Sequence, residues 1–82
     1  MTVAELIEVI GFAEVDVLVV TPMGRDNYSF DIDHISEDKD IFYLEDAKGH
    51  VMELYKDSVV RYEDGAYSIS RGDCLKCIKL SE

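Results

Sequence analysis

The chain has no tryptophan, one proline and two cysteines in 82 residues. Two cysteines cannot build the disulfide framework of a small secreted domain, so the chain reads as a protein of a reducing compartment. No apolar run approaches the roughly 20 residues of a membrane-spanning helix. The longest, residues 17–20, suits one buried strand. The first ten residues hold two acids and no basic cluster, so they do not read as a secretory leader. The expectation is a soluble, cytoplasmic protein of one domain, residues 1–82. Bases are scarce too, with eight Lys and Arg against 18 Asp and Glu, a net charge of −10. Binding phosphates requires Lys and Arg to displace counterions, which argues against direct nucleic-acid binding. Anionic membrane surfaces repel the chain for the same reason.

The surplus is unevenly spread. Residues 1–46 hold twelve acids and two bases, Arg25 and Lys39, whereas residues 47–82 hold six of each. The densest stretch, DIDHISEDKDIFYLED at residues 31–46, has seven acids and one base. Such a distribution favours a cationic partner through steering and complementarity.

Local patterns predict one helix followed by strands. Thr2 and Glu5 have the spacing of a capping box, and Val3, Leu6, Ile7 and Ile10 form one apolar face. Gly11 stands where a left-handed C-cap belongs, with Phe12 placed to pack back on the last turn. EVDVLVVT, apolar at nearly every position, predicts a strand covered on both faces, the helix covering one. Pro22-Met23-Gly24 ends it. NYSFDIDHI alternates as a single strand, with Tyr28, Phe30 and Ile32 facing inward and His34 closing the core. SEDKD is a polar connection. IFYLE and HVMELYK flank the loop DAKG, SVVRY and AYSIS flank the Asp-Gly turn, and RGD leads into CLKCIKL. In that last strand the alternation slips near Lys76-Cys77, which suggests a bulge. The predicted fold is α+β: an N-terminal helix and six or seven short antiparallel strands. These would form a strongly bent sheet or a small SH3-like or Sm-like barrel, with a plain one-helix sheet as runner-up.

The acidic stretch fails as a calcium loop. Counted from Asp31, Ser36 and Phe42 stand where Gly and Glu are needed, and counted from Asp33, Asp38 and Leu44 do. Asp31 and Asp33 share a predicted strand face, but no tryptophan accompanies them to build a sugar site. Cys74 and Cys77 form a lone C-x-x-C whose members point to opposite faces of a regular strand. His34 and His50 lie far upstream, so the reading is two buried thiols, with only a zinc site shared across a dimer left open. Neither histidine sits in a nucleophile signature. Arg71-Gly72-Asp73 reads as a turn, and no Gly-rich phosphate loop exists. The sequence therefore predicts no catalytic residue, no metal, no cofactor and no enzyme.

Two readings of the acids remain. One is a solvated face that keeps a small β protein soluble. The other is a binding face in which Asp31, Asp33, Glu37, Asp38, Asp40, Glu45 and Asp46 imitate a phosphate row. Same-face residues on a strand are ~6.6–6.8 Å apart, of the order of a phosphate step. Glu5, Glu8, Glu14, Asp16 and Asp26 would widen the patch, and Tyr28, Phe42, Tyr43 and Tyr55 would supply aromatic anchors. Phe30 and Phe42 are expected in the core. The opening MTVAELIEVIGFAEVDVLVV resembles the start of many short proteins encoded by phages and mobile elements, in which an M-T-V-x-E-L-I helix leads into a D-V-x-V strand. Small acidic phage proteins include inhibitors that occupy the nucleic-acid groove of host defence nucleases, anti-CRISPR proteins among them. The resemblance thus implies a basic protein partner, such as a nucleic-acid-binding enzyme. The competing expectation is a structural module that self-associates as a homodimer through Tyr43, Val51 and Tyr55.

Overall fold

Helix α1 spans Val3–Ile10, and local chemistry sets both ends. In the computed structural model, which describes residues 1–81, the Thr2 hydroxyl accepts from the Glu5 N–H at 3.2 Å. The Glu5 carboxylate accepts in return from the Thr2 N–H at 2.8 Å, which completes the capping box. Its hydrogen bonds with Thr2 hold the Glu5 carboxyl below its ordinary value. At the other end the Gly11 N–H donates to the Ile7 carbonyl at 2.8 Å. Its φ of 53° is positive as expected, but its ψ of −137° turns the chain away from the helix. Phe12 is consequently 71% exposed and does not pack on the last turn.

Eight strands follow: β1 (Glu14–Thr21), β2 (Gly24–Asp31), β3 (His34–Glu37), β4 (Ile41–Glu45), β5 (Val51–Tyr55), β6 (Val59–Glu63), β7 (Ala66–Arg71) and β8 (Cys74–Leu80). They form two antiparallel sheets, one ordered β2-β1-β8-β7-β6 and the other β3-β4-β5. The three-stranded meander is thus inserted in the chain between strands of the larger sheet. Local turn chemistry closes the hairpins where expected. Asp64 and Gly65, with φ of 53° and 81°, make the two-residue link between β6 and β7. Positive φ at both central positions matches the right-handed twist of the strands, which is why Asp-Gly serves here.

The sheets do not close into a barrel. NYSFDIDHI is not one strand but parts of β2 and β3, which belong to different sheets. The exchange happens at Ile32 and Asp33: the Ile32 N–H donates to Ala13 O at 3.1 Å, and the Asp33 N–H to Glu45 O at 2.8 Å. Ser36 and Glu37, expected in a polar connection, extend β3. The change of sheet also shifts the inward face, so Ile35 packs on the core and His34 is exposed. The β8 register with β1 and β7 is continuous through Lys76 and Cys77, without the expected bulge.

One core joins the inner faces of both sheets and the helix stripe. The helix contributes Val3, Leu6 and Ile10; the larger sheet Val15, Val17, Phe30, Val60, Ile69 and Ile78; the smaller Leu44, Met52 and Leu54; and the corner Ile32. Phe42 packs half-buried against it. The helix backbone comes nearest to β6, and its buried stripe shares one core with Val15 and Val17 of β1. On β1, Val15 and Val17 are buried, Glu14 and Asp16 exposed, and Leu18 and Val20 half-buried. The inner face is therefore buried at Val15 and Val17 and half-buried at Val19, and the outer face is not fully covered. Among the described residues, no helix is long and apolar enough to cross a membrane.

Leu44 is fully buried, whereas Val59 on the outer face is 61% exposed. Leu44→Ala is expected to cost about 2–5 kcal/mol through lost burial and a residual cavity. Val59→Ala should stay within about 0.5 kcal/mol. Urea unfolding of both variants checks this, and equal losses would contradict the assignment of faces.

Candidate functional site

The structure divides the seven acids of residues 31–46 between the two ends of the β3–β4 ladder. Its register runs from His34 opposite Glu45 to Glu37 opposite Phe42. Three residue steps separate these ends by about 10 Å. Asp31, Asp33, Glu45 and Asp46 lie at the corner end, while Glu37, Asp38 and Asp40 lie at the β3–β4 turn. Asp31 and Asp33 do not share a strand face, because Asp31 ends β2 and Asp33 lies in the link between sheets. Glu5 and Glu8 belong to the helix, whose backbone comes nearest to β6, at the opposite edge of the larger sheet from β2.

Cations offset the turn end locally. Lys56 Nζ pairs with Glu37 Oε2 at 3.0 Å and lies 5.0 Å from the Phe42 ring centroid. Asp38 is engaged by its own turn, its carboxylate accepting from the Lys39 N–H at 2.8 Å. The Asp40 carbonyl accepts from the Lys56 N–H at 2.9 Å.

The corner end opens onto a groove of about 650 Å³ between β2 and the β4–β5 loop. Its acids are Glu14, Asp26, Asp31 and Asp46, its cationic or titratable neighbours are Lys48 and His50, and its apolar lining includes Tyr28, Phe30 and Val51. Glu14 and Asp31 stand directly opposite each other across the β1–β2 hairpin. Like charges in that position are unfavourable for the sheet. Asp16, on the same face of β1 as Glu14, accepts from the Ser29 hydroxyl at 3.2 Å and faces Lys79 across β8. Since β2 is an outer strand, its far edge has no strand partner among the described residues.

Two groups in the groove titrate abnormally. Burial pushes the Tyr28 phenol up, and the neighbouring Asp26 charge adds to the effect. Burial also works against a charged Asp46, but hydrogen bonds from His50 and Lys48, with the His50 charge, outweigh it and hold the carboxyl below its ordinary value. The Asp46 carboxylate accepts from the Lys48 and His50 N–H groups at 2.9 and 2.8 Å and meets His50 Nδ1 at 3.0 Å. Asp46 thus organises the loop that forms one wall. Its partnership with His50 follows the i, i+4 spacing across a turn, a signal visible in the sequence but not read there.

A second cavity, of about 350 Å³, lies between β5 and the β7–β8 hairpin. Its lining includes Glu53, Leu54, Tyr55, Arg71, Cys74 and Lys76. Sequence reasoning missed it because its walls come from separate sheets. Cys74 lies opposite Arg71 across the β7–β8 hairpin. Cys77 faces the other way, its Sγ 3.9 Å from the Ser68 hydroxyl. Among the described residues, no three or more His, Cys, Asp or Glu side chains form a metal-binding group.

The corner groove can receive a cationic, partly apolar group, with carboxylates around it and aromatic surface beneath. No protein-family model, curated protein or solved structure matches the chain.

The lowered Asp46 value couples the loop to pH. A folded-state pKa below the unfolded one gives stability that is full above the ordinary carboxylate value of about 3.9 and is lost as pH falls through the lowered value. Asp46→Asn is therefore expected to be less stable than the native chain at neutral pH, with the gap narrowing below about pH 4. Urea unfolding across pH checks this; a constant gap would contradict the electrostatic origin.

Proposed function

We propose that this protein is a non-enzymatic inhibitor or adaptor that binds a basic partner protein through its acidic corner groove. Its sharper form is a phage-encoded nucleic-acid mimic that occupies the phosphate-binding groove of a host nucleic-acid-handling enzyme in the cytoplasm. The observation that carries this reading is the like-charged pair Glu14 and Asp31, with Asp26 and Asp46 around one groove and Tyr28 half-buried in it. A pair that disfavours the isolated sheet becomes favourable against a cationic surface. Glu14 and Asp16 are same-face neighbours on β1, ~6.6–6.8 Å apart, but Asp16 lies outside the groove lining and faces Lys79, so Glu14 carries the contact. The turn acids Glu37, Asp38 and Asp40 form a secondary contact that Lys56 weakens. Asp33 and Glu45 lie at the same end of the β3–β4 ladder but outside the groove lining.

Self-association is the second reading. Strand alternation sets Tyr43, Val51 and Tyr55 on one face of the smaller sheet, and Val51 is 51% exposed. Sedimentation at two concentrations distinguishes the two: a concentration-independent monomer excludes the homodimer.

The mimicry reading is tested by displacement of fluorescent duplex DNA from a basic, sequence-nonspecific DNA-binding protein. The native chain is expected to displace the duplex at low salt and progressively less as salt rises. The triple variant Glu14→Gln, Asp26→Asn, Asp31→Asn should lose roughly ten-fold or more in potency, and Glu37→Gln, Asp38→Asn, Asp40→Asn only about two- to three-fold. No displacement at low salt, or equal losses in both variants, would overturn the assignment.

A further inference from the structure

The second cavity is lined by two cationic side chains, Arg71 and Lys76, and one acidic one, Glu53, in a chain where acids outnumber bases. Lys76 occupies a core-facing position of β8, paired across its neighbours with Val19 and Ile69. It is half-buried, and Nζ donates to the Glu53 carbonyl at 2.7 Å. One of the three ammonium hydrogens is thereby used. Among the described residues, no carboxylate lies within ion-pairing distance of Nζ. Burial lowers the Lys76 pKa, against the opposing pull of Cys74 and Glu53. The site therefore holds a partly desolvated cation with donors to spare and no carboxylate in direct contact, although Glu53 also lines the cavity and its charge reaches Lys76.

Arg71 supplies a second positive charge at the same cavity. Its guanidinium lies 4.0 Å from the Tyr55 ring centroid and pairs with Asp57. Arg71 thus already has an ion-pair partner, whereas Lys76 has none in direct contact. Leu54 and Ile69 are buried core residues that reach the cavity, and Tyr55 adds an aromatic wall. Its volume of about 350 Å³ falls at the small end of the ~300–1,000 Å³ range of ligand pockets. One unpaired ammonium suits a singly charged head group better than a dianion, and the apolar walls require a hydrophobic body.

We propose that the cavity between β5 and the β7–β8 hairpin binds a small carboxylate with an apolar body, the carboxylate received by Lys76 and the body by Leu54, Tyr55 and Ile69. This site is separate from the acidic groove and would function whether or not that groove binds a partner. A lysine serving only to tie β8 to the edge of β5 through the Glu53 carbonyl would show no preference for an anion.

The test compares 2-naphthoate with its neutral analogue 2-naphthalenemethanol, by calorimetric titration of the full chain. Naphthoate is expected to bind saturably and at least about ten-fold more tightly than the alcohol, as a charge-assisted hydrogen bond implies. Lys76→Met should abolish that preference while leaving alcohol binding nearly unchanged. Naphthoate should also slow alkylation of Cys74, which lines the cavity, and leave Cys77 unaffected. Absence of saturable naphthoate binding, equal affinity for acid and alcohol, a preference that survives in Lys76→Met, or equal protection of both thiols would each overturn the proposal. If Lys76→Met does not fold, the acid–alcohol comparison and thiol protection on the native chain decide alone.

Discussion

The architecture turns on two consecutive amides. Ile32 donates to Ala13, beside the larger sheet, and Asp33 donates to Glu45, at the end of the smaller one. Adjacent donors committed to different sheets force the backbone to turn a corner, and the buried Ile32 side chain pins that corner into the core. From this follow the open two-sheet arrangement, the outer position of β2 and the groove between β2 and the β4–β5 loop. The corner also governs the electrostatics. It brings Asp31 and Asp46 to one groove and leaves Glu37, Asp38 and Asp40 at the far end of a ladder.

The features that depend on neighbours in sequence were legible there. Thr2 and Glu5 announce their reciprocal cap, Asp64-Gly65 announces a hairpin, and the alternation of Met52 and Leu54 with Glu53 announces a half-buried strand. The corner was not legible, because the alternation through Tyr28, Phe30 and Ile32 continues smoothly to the point where the sheet changes. Only distant pairing, of Glu14 with Asp31 and of His34 with Glu45, determines which sheet each segment joins. The barrel expectation and the inward placement of His34 failed for that one reason.

The candidate site was legible as chemistry but not as geometry. Composition pointed to the acids, yet charge density along the chain does not say which carboxylates meet across strands or which acquire a lysine. Lys56 is remote in sequence from Glu37 but ion-paired with it in space. The Lys76 cavity was hidden by a different effect. Leu75, Lys76 and Cys77 are all half-buried, so the inward-outward contrast of a regular strand is flattened. A lysine facing the core in a continuous ladder then looks, in one dimension, like a slip in register.

The pairing of β1 with β8 joins segments from opposite ends of the described chain. The larger sheet is therefore incomplete until β8, near the end of the described residues, is available. During vectorial synthesis on a ribosome, the early hairpin must wait, with Val15, Val17 and Phe30 lacking the Ile78 side of their core. Such long-range closure delays folding and lengthens the exposure of sticky strand surface. The dense negative charge carried by the first-made half would keep neighbouring nascent chains apart during that interval.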